Sequence, residues 1–280
     1  MRTRIFLDSG NPTDTRIVKR ALGFLDGQTT NPSLIAKNPR VQARMQKEGS
    51  ITPAALFGEY ERIAKEISQR IKKGSISLEV YADARTTYKE MLWQARLMNT
   101  WISNAHIKFP ATKEGLKAAH YAVKEGLRVN MTLVFTQEQA RAVYSATRGA
   151  KKGQVFVSPF IGRLDDTGVS GMDVVRNIQR AYAKGDGHVS ILGASIRHKE
   201  HVHACIEVGV DCITAPKQVL IAWHKKQPKK IVYDKNLKPV AYKKQTTSKD
   251  WKTMTVSHPL IAKGLNTFAK DWQNLVGGVL

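Results

Sequence analysis

A single lysine interrupts an apolar run in which a charged side chain is unexpected. Lys108 stands between Ile107 and Phe109 in the run HIKFP at 106–110. In a strand of a closed sheet this lysine would be buried, and burial disfavours the ammonium over the neutral amine. A neutral amine can attack a carbonyl carbon and form a Schiff base. Lys108 is therefore a candidate nucleophile, and the alternative is a lysine held in an ion pair.

Two carboxylates are embedded in similar apolar runs. Asp8 ends FLD at 6–8, and Glu79 lies in SLEV at 77–80. Buried acids are too unfavourable to occur without a partner. Schiff-base chemistry needs one acid for water loss from the carbinolamine and another for the hydroxyl whose carbon bond breaks. Asp8 and Glu79 fit these roles, and either could instead be a structural partner of Lys108 or of a backbone amide.

Further polar residues end other apolar runs, where parallel strands of a barrel would form the active-site face. These residues are Thr29 with Asn31, Asn130 with Thr132, Ser158, and Ser195 with Arg197. Arg163 follows Ser158 closely and could clamp a phosphate together with Arg197, while Ser195 adds a donor near a helix start. Asp165 and Asp166 could instead hold Arg163 in a loop salt bridge.

The elements that must position these residues alternate between short β-branched runs and amphipathic helical patterns. Eight strands are predicted, near 4–8, 27–31, 75–81, 106–109, 129–134, 154–158, 189–195 and 212–215. Strands separated by helices form parallel sheets, and eight such units close a barrel. The sequence therefore predicts an α/β fold, a single (β/α)8 TIM barrel with an additional C-terminal helix.

Helix boundaries carry their own signals. Thr52-Pro53 predicts the start of a helix that Gly74 ends, and Thr136 with Gln139 forms a capping box. Glycines also mark the ends of four later helices, at Gly126, Gly149, Gly185 and Gly209.

Three parts are predicted: a catalytic barrel over residues 1–223, a lysine-rich surface excursion over 224–256, and a helix over 257–280. Ser257 and Pro259 can start that helix. Its apolar stripe consists of Ile261, Leu265, Phe268, Trp272 and Leu275. Such a stripe packs either on its own barrel or on a neighbouring subunit.

Composition limits the class of protein. The formal net charge is +22, which could indicate phosphate neutralisation on a nucleic acid. The positive residues are spread over most helices without a recognition motif, so we expect no nucleic-acid partner. The chain has no run of 18 apolar residues and no signal-peptide pattern, so we expect a cytoplasmic protein without a membrane partner. Its two cysteines, Cys205 and Cys212, are expected to be reduced core residues.

The apolar runs with their polar ends resemble the transaldolase family in order and spacing. The matching segments are FLD at 6–8, GQTTNPSLIA at 27–36, SLEV at 77–80, IKFPAT at 107–112, NMTLVF at 130–135 and SPFIGR at 158–163. The resemblance covers residues 4 to about 222 and the final helix. The stretch 224–252 has no counterpart in the short family members.

The resemblance implies roles for the candidate residues. Lys108 would form the Schiff base with C2 of a ketose phosphate, Glu79 would act with a water near Thr132, and Asp8 would deprotonate the C4 hydroxyl. The remaining residues would bind substrate: Thr29, Asn31, Asn130, Ser158 and Phe160 around the three-carbon unit, and Arg163, Ser195 and Arg197 at the phosphate. The expected reaction exchanges sedoheptulose 7-phosphate and glyceraldehyde 3-phosphate for erythrose 4-phosphate and fructose 6-phosphate. No cofactor or metal is expected.

Two other enzyme classes remain as alternatives. Fructose-6-phosphate aldolase resembles this chain but carries Gln at the position of Glu79 and Tyr at that of Phe160, so these two residues favour a transaldolase. A metal-dependent aldolase would use His198, His201 and His203, of which only the first two share a helix face. Family members assemble into rings or dimers, so we expect a homo-oligomer.

Overall fold

Eight parallel strands form a closed barrel in the computed structural model, which describes residues 2–226, 236–244 and 249–277. The strands are β1 Arg4–Asp8, β2 Gly27–Thr29, β3 Ser75–Glu79, β4 Ala105–Pro110, β5 Val129–Val134, β6 Val155–Pro159, β7 Val189–Gly193 and β8 Cys212–Ala215. Each strand pairs with the next one along the chain, and β1 pairs with β8 to close the barrel. The predicted (β/α)8 fold with a C-terminal helix is confirmed.

Helices cover the outside of the barrel. They are α1 Pro12–Leu22, α2 Pro32–Ala36, α3 Pro39–Glu48, α4 Pro53–Arg70, α5 Tyr88–Trp101, α6 Lys113–Lys124, α7 Gln137–Ala146, α8 Ile161–Asp165, α9 Gly171–Tyr182, α10 Lys199–Val208, α11 Lys217–Lys225 and α12 Pro259–Val276. A 3-10 turn occupies Trp251–Thr253. No helix in the described residues is both long and apolar enough to span a membrane.

The side chains inside the barrel lie in layers, because residues two apart on a strand point to the same side of the sheet. Phe6 lies two residues before Asp8 on β1, and His106 lies two residues before Lys108 on β4. Phe6 packs edge-on against Phe156 of β6 at 5.9 Å, and His106 stacks on Phe156 at 4.3 Å between ring centroids. These three rings form a layer beneath the polar ends of the strands.

Three predicted strands are shorter than expected. Residues 75–81 were predicted as a strand, but β3 stops at Glu79. Residues 27–31 were predicted as a strand, but β2 stops at Thr29 because Asn31 caps α2, its Oδ1 accepting from Leu34 N at 2.8 Å. Residues 189–195 were predicted as a strand, but β7 stops at Gly193, and Ser195 adopts a left-handed φ of 57°. Both polar residues therefore lie just beyond the sheet.

The capping box of Thr136 and Gln139 and the cap at Gly209 are confirmed. The helices before the other three glycines end two to three residues earlier than predicted, at Lys124, Ala146 and Tyr182. The predicted stop at Gly74 is wrong, because α4 ends at Arg70 and is capped by Ile71. Gly74 instead allows a close approach, since a Cβ there would lie 2.4 Å from the carbonyl oxygen of Asp26.

The last helix packs on the barrel of its own chain. All five residues of its predicted stripe are buried. Trp272 contacts the rings of Phe57 and Tyr60 on α4, at 5.9 and 6.1 Å between centroids. A further link is the hydrogen bond that Oγ of Ser33 on α2 donates to Oδ2 of Asp271. The capping residue of α12 is His258, not the predicted Ser257.

Part of the lysine-rich stretch runs over α7 and α9. The side chains of Gln137 and Asn177 donate to the carbonyl oxygens of Ala241 and Val240 at 2.9 and 2.8 Å. Arg141 is fully buried here and donates to the carbonyl oxygen of Lys243. Other predicted members of the stretch, such as residues 229 and 230, lie outside the described residues.

Both cysteines are buried free thiols, as predicted. Burial raises the pKa of Cys205 and that of Cys212 to about 12, so both remain protonated at neutral pH.

Candidate active site

The predicted polar residues converge at the carboxyl ends of the strands. Strand pairing places Asp8 beside Thr29, and Lys108 between Glu79 and Asn130. They surround a cavity of about 90 Å³. Its walls are Asp8, Thr29, Asn31, Lys108, Asn130, Thr132, Ser158, Phe160, Arg163, Ala194, Ser195, Arg197, Thr214 and Phe268. Eleven of the twelve candidate residues thus line one cavity, and the twelfth, Glu79, lies behind Lys108.

Lys108 and Glu79 form a buried ion pair. Nζ of Lys108 lies 2.7 Å from Oε2 of Glu79, and the side chains are only 7% and 3% exposed. The same Nζ donates to the carbonyl oxygen of Thr30 at 2.9 Å. Burial raises the pKa of Glu79, although the positive charge of Lys108 opposes the rise. A carboxylate that binds protons readily can take one from the ammonium and leave a nucleophilic amine.

Asp8 occupies the wall of the cavity with its own partners. Oδ1 accepts a hydrogen bond from Oγ1 of Thr29 at 2.7 Å, and that hydroxyl also contacts Oγ1 of Thr214 at 2.7 Å. Burial raises the pKa of Asp8, and the charges of Lys108 and Arg163 oppose the rise. Asp8 is therefore a separate carboxyl group, held by a hydroxyl and placed to exchange a proton with a ligand in the cavity.

A short hydrogen-bonded chain fixes the amide on β5. Nδ2 of Asn130 donates to Oγ of Ser77 at 3.0 Å, and Oγ of Ser158 donates to Oδ1 of Asn130 at 2.7 Å. All three residues are buried. These bonds orient Asn130 and Ser158 toward each other across two neighbouring strands, so the pair presents a defined polar wall.

Thr132 carries the free hydroxyl of the site. Its Oγ1 is buried and has no hydrogen-bond partner among the described residues, and the side chain lines the cavity. The next residue, Leu133, has a left-handed φ of 58°, and the pairing of β5 with β6 shifts register between Met131 and Val134. A buried hydroxyl without a partner is unfavourable, so Thr132 is available to a water or substrate oxygen.

Two arginines stand at the mouth of the cavity. Arg163 lies between two rings, with its guanidinium carbon 5.2 Å from the centroid of Phe160 and 5.3 Å from that of Phe268. Burial lowers the pKa of Arg163. Arg197 donates to Oδ2 of Asp166 at 2.8 Å in an exposed ion pair.

The alternative loop salt bridge, between Arg163 and Asp165 or Asp166, is not formed, because both carboxylates pair with other residues. Asp166 binds Arg197, and Asp165 lies 2.7 Å from Nε2 of His201. Arg163 therefore keeps its donors free of these two carboxylates. The described residues contain no group of three or more side chains able to hold a metal ion, and His198 lies at the cap of α10.

Several contributors to the site were missed from the sequence. Thr214 could have been found as a polar residue in the apolar β8 run, whereas Phe268 was predicted only as part of a packing stripe. Nothing in the sequence pointed to Tyr60, because its phenol does not line the cavity and instead supports the residues behind it. Its oxygen accepts from the backbone N of Glu79 at 2.9 Å and contacts Oγ1 of Thr30 at 2.5 Å.

In a (β/α)8 barrel, polar side chains that converge at the carboxyl ends of the strands form the active-site face, so this chain has the fold and the site of a barrel enzyme. Comparison with known proteins identifies the family. A family model described as transaldolase/fructose-6-phosphate aldolase matches residues 5–279. The chain belongs to this family.

Relatives are found in several bacteria. A probable transaldolase of Brucella ovis is 35% identical over 269 residues, covering 96% of each chain. A probable transaldolase of Lactiplantibacillus plantarum is 33% identical, and probable transaldolase 2 of Listeria monocytogenes is 31% identical, each over 270 residues and 96% of both chains.

Proposed function

We propose that this protein is a transaldolase that moves a dihydroxyacetone unit between sugar phosphates through a Schiff base on Lys108. The donor is sedoheptulose 7-phosphate or fructose 6-phosphate, and the acceptor is glyceraldehyde 3-phosphate or erythrose 4-phosphate. The observation that carries the proposal is the buried contact of 2.7 Å between Lys108 and Glu79 at the end of the barrel. The family membership and the names of the relatives support it.

The first step forms the imine. Glu79 takes a proton from Lys108, and the neutral amine attacks C2 of the ketose to give a carbinolamine. Glu79 then returns a proton, by way of a water held at the free hydroxyl of Thr132, to the departing C2 hydroxyl. One water leaves and an iminium remains. The raised pKa of Glu79 suits a group that must accept and donate a proton in turn.

The second step breaks the sugar chain. Asp8 removes the proton from the C4 hydroxyl, C4 becomes an aldehyde carbon, and the C3–C4 bond breaks. The electron pair of that bond moves into the iminium and gives an enamine. The shortened aldose leaves with C4 as its carbonyl, and Asp8 keeps the proton for the reverse step.

The third step transfers the three-carbon unit. Asn130 and Ser158 hold the hydroxyl groups of the enamine, with Thr29 and Asn31 on the other side of the cavity. The enamine attacks the carbonyl carbon of an incoming aldose phosphate, and Asp8 gives its proton to the new hydroxyl. Water then hydrolyses the imine and frees Lys108. This sequence needs no metal or organic cofactor.

The phosphate lies at the arginines. Arg163 and Arg197 donate pairs of hydrogen bonds to phosphate oxygens, and Ser195 adds a third donor. The partial burial of Arg163 between two rings strengthens its interaction with an anion, because fewer waters compete there.

The side chain of Phe160 favours transfer of the three-carbon unit over simple cleavage of the sugar. Cleavage of the fructose-6-phosphate aldolase type ends when the enamine is protonated by water. Phe160 lines the cavity and presents a phenyl ring without a hydroxyl, so it supplies no proton for that step. The enamine then survives until an aldehyde arrives.

The same proposal includes the organisation of the chain. Residues 1–223 are the catalytic barrel, 224–256 a lysine-rich surface excursion, and 257–280 a C-terminal helix that packs on the barrel or on a neighbouring subunit. The enzyme acts in the cytoplasm as a homo-oligomer. Buried reduced thiols and sugar-phosphate substrates fit that compartment.

Borohydride trapping tests the proposal. The enzyme is incubated with fructose 6-phosphate and borohydride, and the adduct is mapped by peptide mass spectrometry in wild type and in Lys108→Arg. We expect a reduced three-carbon adduct on the peptide that contains Lys108 and none in the variant. Absence of an adduct on folded wild-type protein contradicts the Schiff base. Release of free dihydroxyacetone at the same rate with and without erythrose 4-phosphate favours cleavage over transfer.

A further inference from the structure

A second polar cavity, of about 580 Å³, opens at the opposite end of the barrel from the candidate active site. It is formed where the strands begin and where α1 and α4 end. Its walls are Arg4, Lys19, Leu25, Asp26, Gln69, Arg70, Ile71, Lys72, Lys73, Gly74, Ser75, His106, Arg128 and Gly153. None of these residues lines the cavity around Lys108.

The two cavities are separated by the ring layer of the barrel. On β1, Arg4 lines the lower cavity, Phe6 belongs to the layer, and Asp8 lines the upper cavity. The guanidinium carbon of Arg4 lies 5.3 Å from the centroid of Phe156. A ligand in the lower cavity is therefore not in contact with Lys108, and its binding site is distinct.

Charge in the lower cavity is strongly unbalanced. Six cations line it, namely Arg4, Lys19, Arg70, Lys72, Lys73 and Arg128, against one carboxylate. That carboxylate, Asp26, is already engaged, because Arg2 donates to its two oxygens at 2.8 and 3.0 Å. Among the described residues, Arg70 is the one cation of the six with an ion pair, at 4.0 Å from Glu66. Like charges brought together without carboxylates repel each other, and an anion would relieve the repulsion.

Some of these cations are held in place by the fold. Arg128 donates to the carbonyl oxygen of Ser103, and Lys19 donates to that of Arg70 at 2.7 Å. His106 contacts Oγ of Ser75 at 2.7 Å and the carbonyl oxygen of Gly153 at 3.1 Å. Burial lowers the pKa of His106 to about 3, so the ring stays neutral at neutral pH. The cavity thus has a neutral floor and a positive rim.

We propose that this lower cavity binds a small polyanion that carries two or more phosphate groups. Arginine side chains bind phosphate oxygens in pairs, and lysines add mobile point charges. The volume lies within the range of small-molecule pockets and is too large for a single phosphate. The positive groups line one concave space, which favours a small molecule over a nucleic acid.

Inorganic pyrophosphate is the probe for the first experiment. Its binding to the full-length protein is measured by isothermal titration calorimetry at fixed ionic strength. The test variant is Lys72→Gln/Lys73→Gln, which changes two exposed residues of the cavity rim. The matched control is Lys47→Gln/Lys263→Gln, which removes the same charge from exposed positions outside both cavities. Arg163→Gln serves as the control for binding in the active site.

Pyrophosphate is expected to bind wild type and the Lys47/Lys263 control alike, and to bind the Lys72/Lys73 variant about tenfold or more weakly. In Arg163→Gln, which removes the phosphate contact proposed for the active site, the binding that depends on Lys72 and Lys73 is expected to remain. Circular dichroism and the melting temperature without ligand show whether the variants fold.

Three outcomes overturn the proposal. Equal weakening in both lysine double variants indicates a response to net charge, and loss of binding in Arg163→Gln places the ligand in the active site. A short DNA duplex that binds more tightly than pyrophosphate, and loses affinity in the Lys72/Lys73 variant, indicates a nucleic-acid surface.

Discussion

Phe268 lies against Arg163, with 5.3 Å between its ring centroid and the guanidinium carbon. The two residues belong to distant parts of the chain, α8 after strand β6 and the final helix α12. Phe268 also lines the cavity that contains Lys108. The last helix therefore contributes a side chain to the candidate site, next to the residue proposed to bind phosphate.

Replacing Phe268 should weaken phosphate binding more than chemistry. In Phe268→Leu the cation–π contact to Arg163 is lost, which is worth about 0.5–2 kcal/mol. We expect KM for fructose 6-phosphate to rise about 3- to 30-fold while kcat stays within about twofold. The control Phe268→Tyr keeps an aromatic ring and should restore KM. Steady-state kinetics with fructose, which lacks the phosphate, should show little change, and an equal loss on both sugars would contradict this role.

Asp8→Asn should raise the stability of the protein at neutral pH although it lowers activity. Burial raises the pKa of folded Asp8 above its unfolded value, so its favourable contribution to stability exists at low pH and is lost as pH rises through the raised pKa. The variant should therefore melt at a higher temperature than wild type at neutral pH, and the difference should vanish below about pH 4. Melting curves across this pH range check the sign. A variant less stable than wild type at neutral pH would contradict the argument.

The same variant should change which covalent adduct is trapped. Without Asp8 the C4 hydroxyl keeps its proton, so transfer should fall about 10²- to 10⁴-fold. Lys108 and Glu79 still form the imine. Borohydride should then trap an intact six-carbon adduct from fructose 6-phosphate, and intact-protein mass spectrometry distinguishes it from the three-carbon adduct of wild type. A three-carbon adduct formed at the wild-type rate would remove Asp8 from bond cleavage.

Glu79→Gln should slow the formation of the imine itself. The amide cannot accept a proton from Lys108, so we expect the trapping rate and kcat to fall together by about 10²-fold or more. The mass of the adduct should remain that of the three-carbon unit, because Asp8 still breaks the bond. Rapid-quench trapping measures the rate. Unchanged imine formation would show that the contact between Glu79 and Lys108 is only structural.

Trp272→Ala should destabilise the docking of α12. The side chain is 2% exposed and contacts the rings of Phe57 and Tyr60. Removing a buried aromatic side chain lowers the free energy of unfolding by about 3–5 kcal/mol. The control Trp93→Ala removes a side chain that is 62% exposed, and should change stability by less than about 0.5 kcal/mol. Urea unfolding followed by circular dichroism compares them, and equal effects would contradict the packing argument.

The fold was predictable because its signals are local. Alternation of apolar strands with capped helices indicates the barrel, and a polar residue at the end of such a strand must lie on the active-site face. Asp8, Lys108 and Asn130 were found in this way. Strand ends were less predictable where a side chain changed the local conformation, as with the cap made by Asn31 and the left-handed Ser195.

The partners of individual residues were not predictable, since they depend on contacts between distant segments. Asp166 could have paired with Arg163, its near neighbour in sequence, but it binds Arg197 after the next strand. In the sequence, Phe268 is indistinguishable from the other apolar residues of the stripe on the last helix. Only the folded chain shows that its ring turns toward Arg163, while other members of the stripe pack beneath the helix.

The docking of α12 has a consequence for how activity is lost. The helix lies outside the strand ladder and is held by its buried stripe, by the bond from Ser33 to Asp271 and by the bond from Ile51 N to Leu275 O. Such an element can open on its own at a smaller free energy than the whole domain. Detachment would remove Phe268 and leave the ion pair of Lys108 and Glu79 on an intact barrel. We expect mild heating to give a species that is still folded yet binds phosphorylated sugars poorly, so that loss of activity precedes loss of structure.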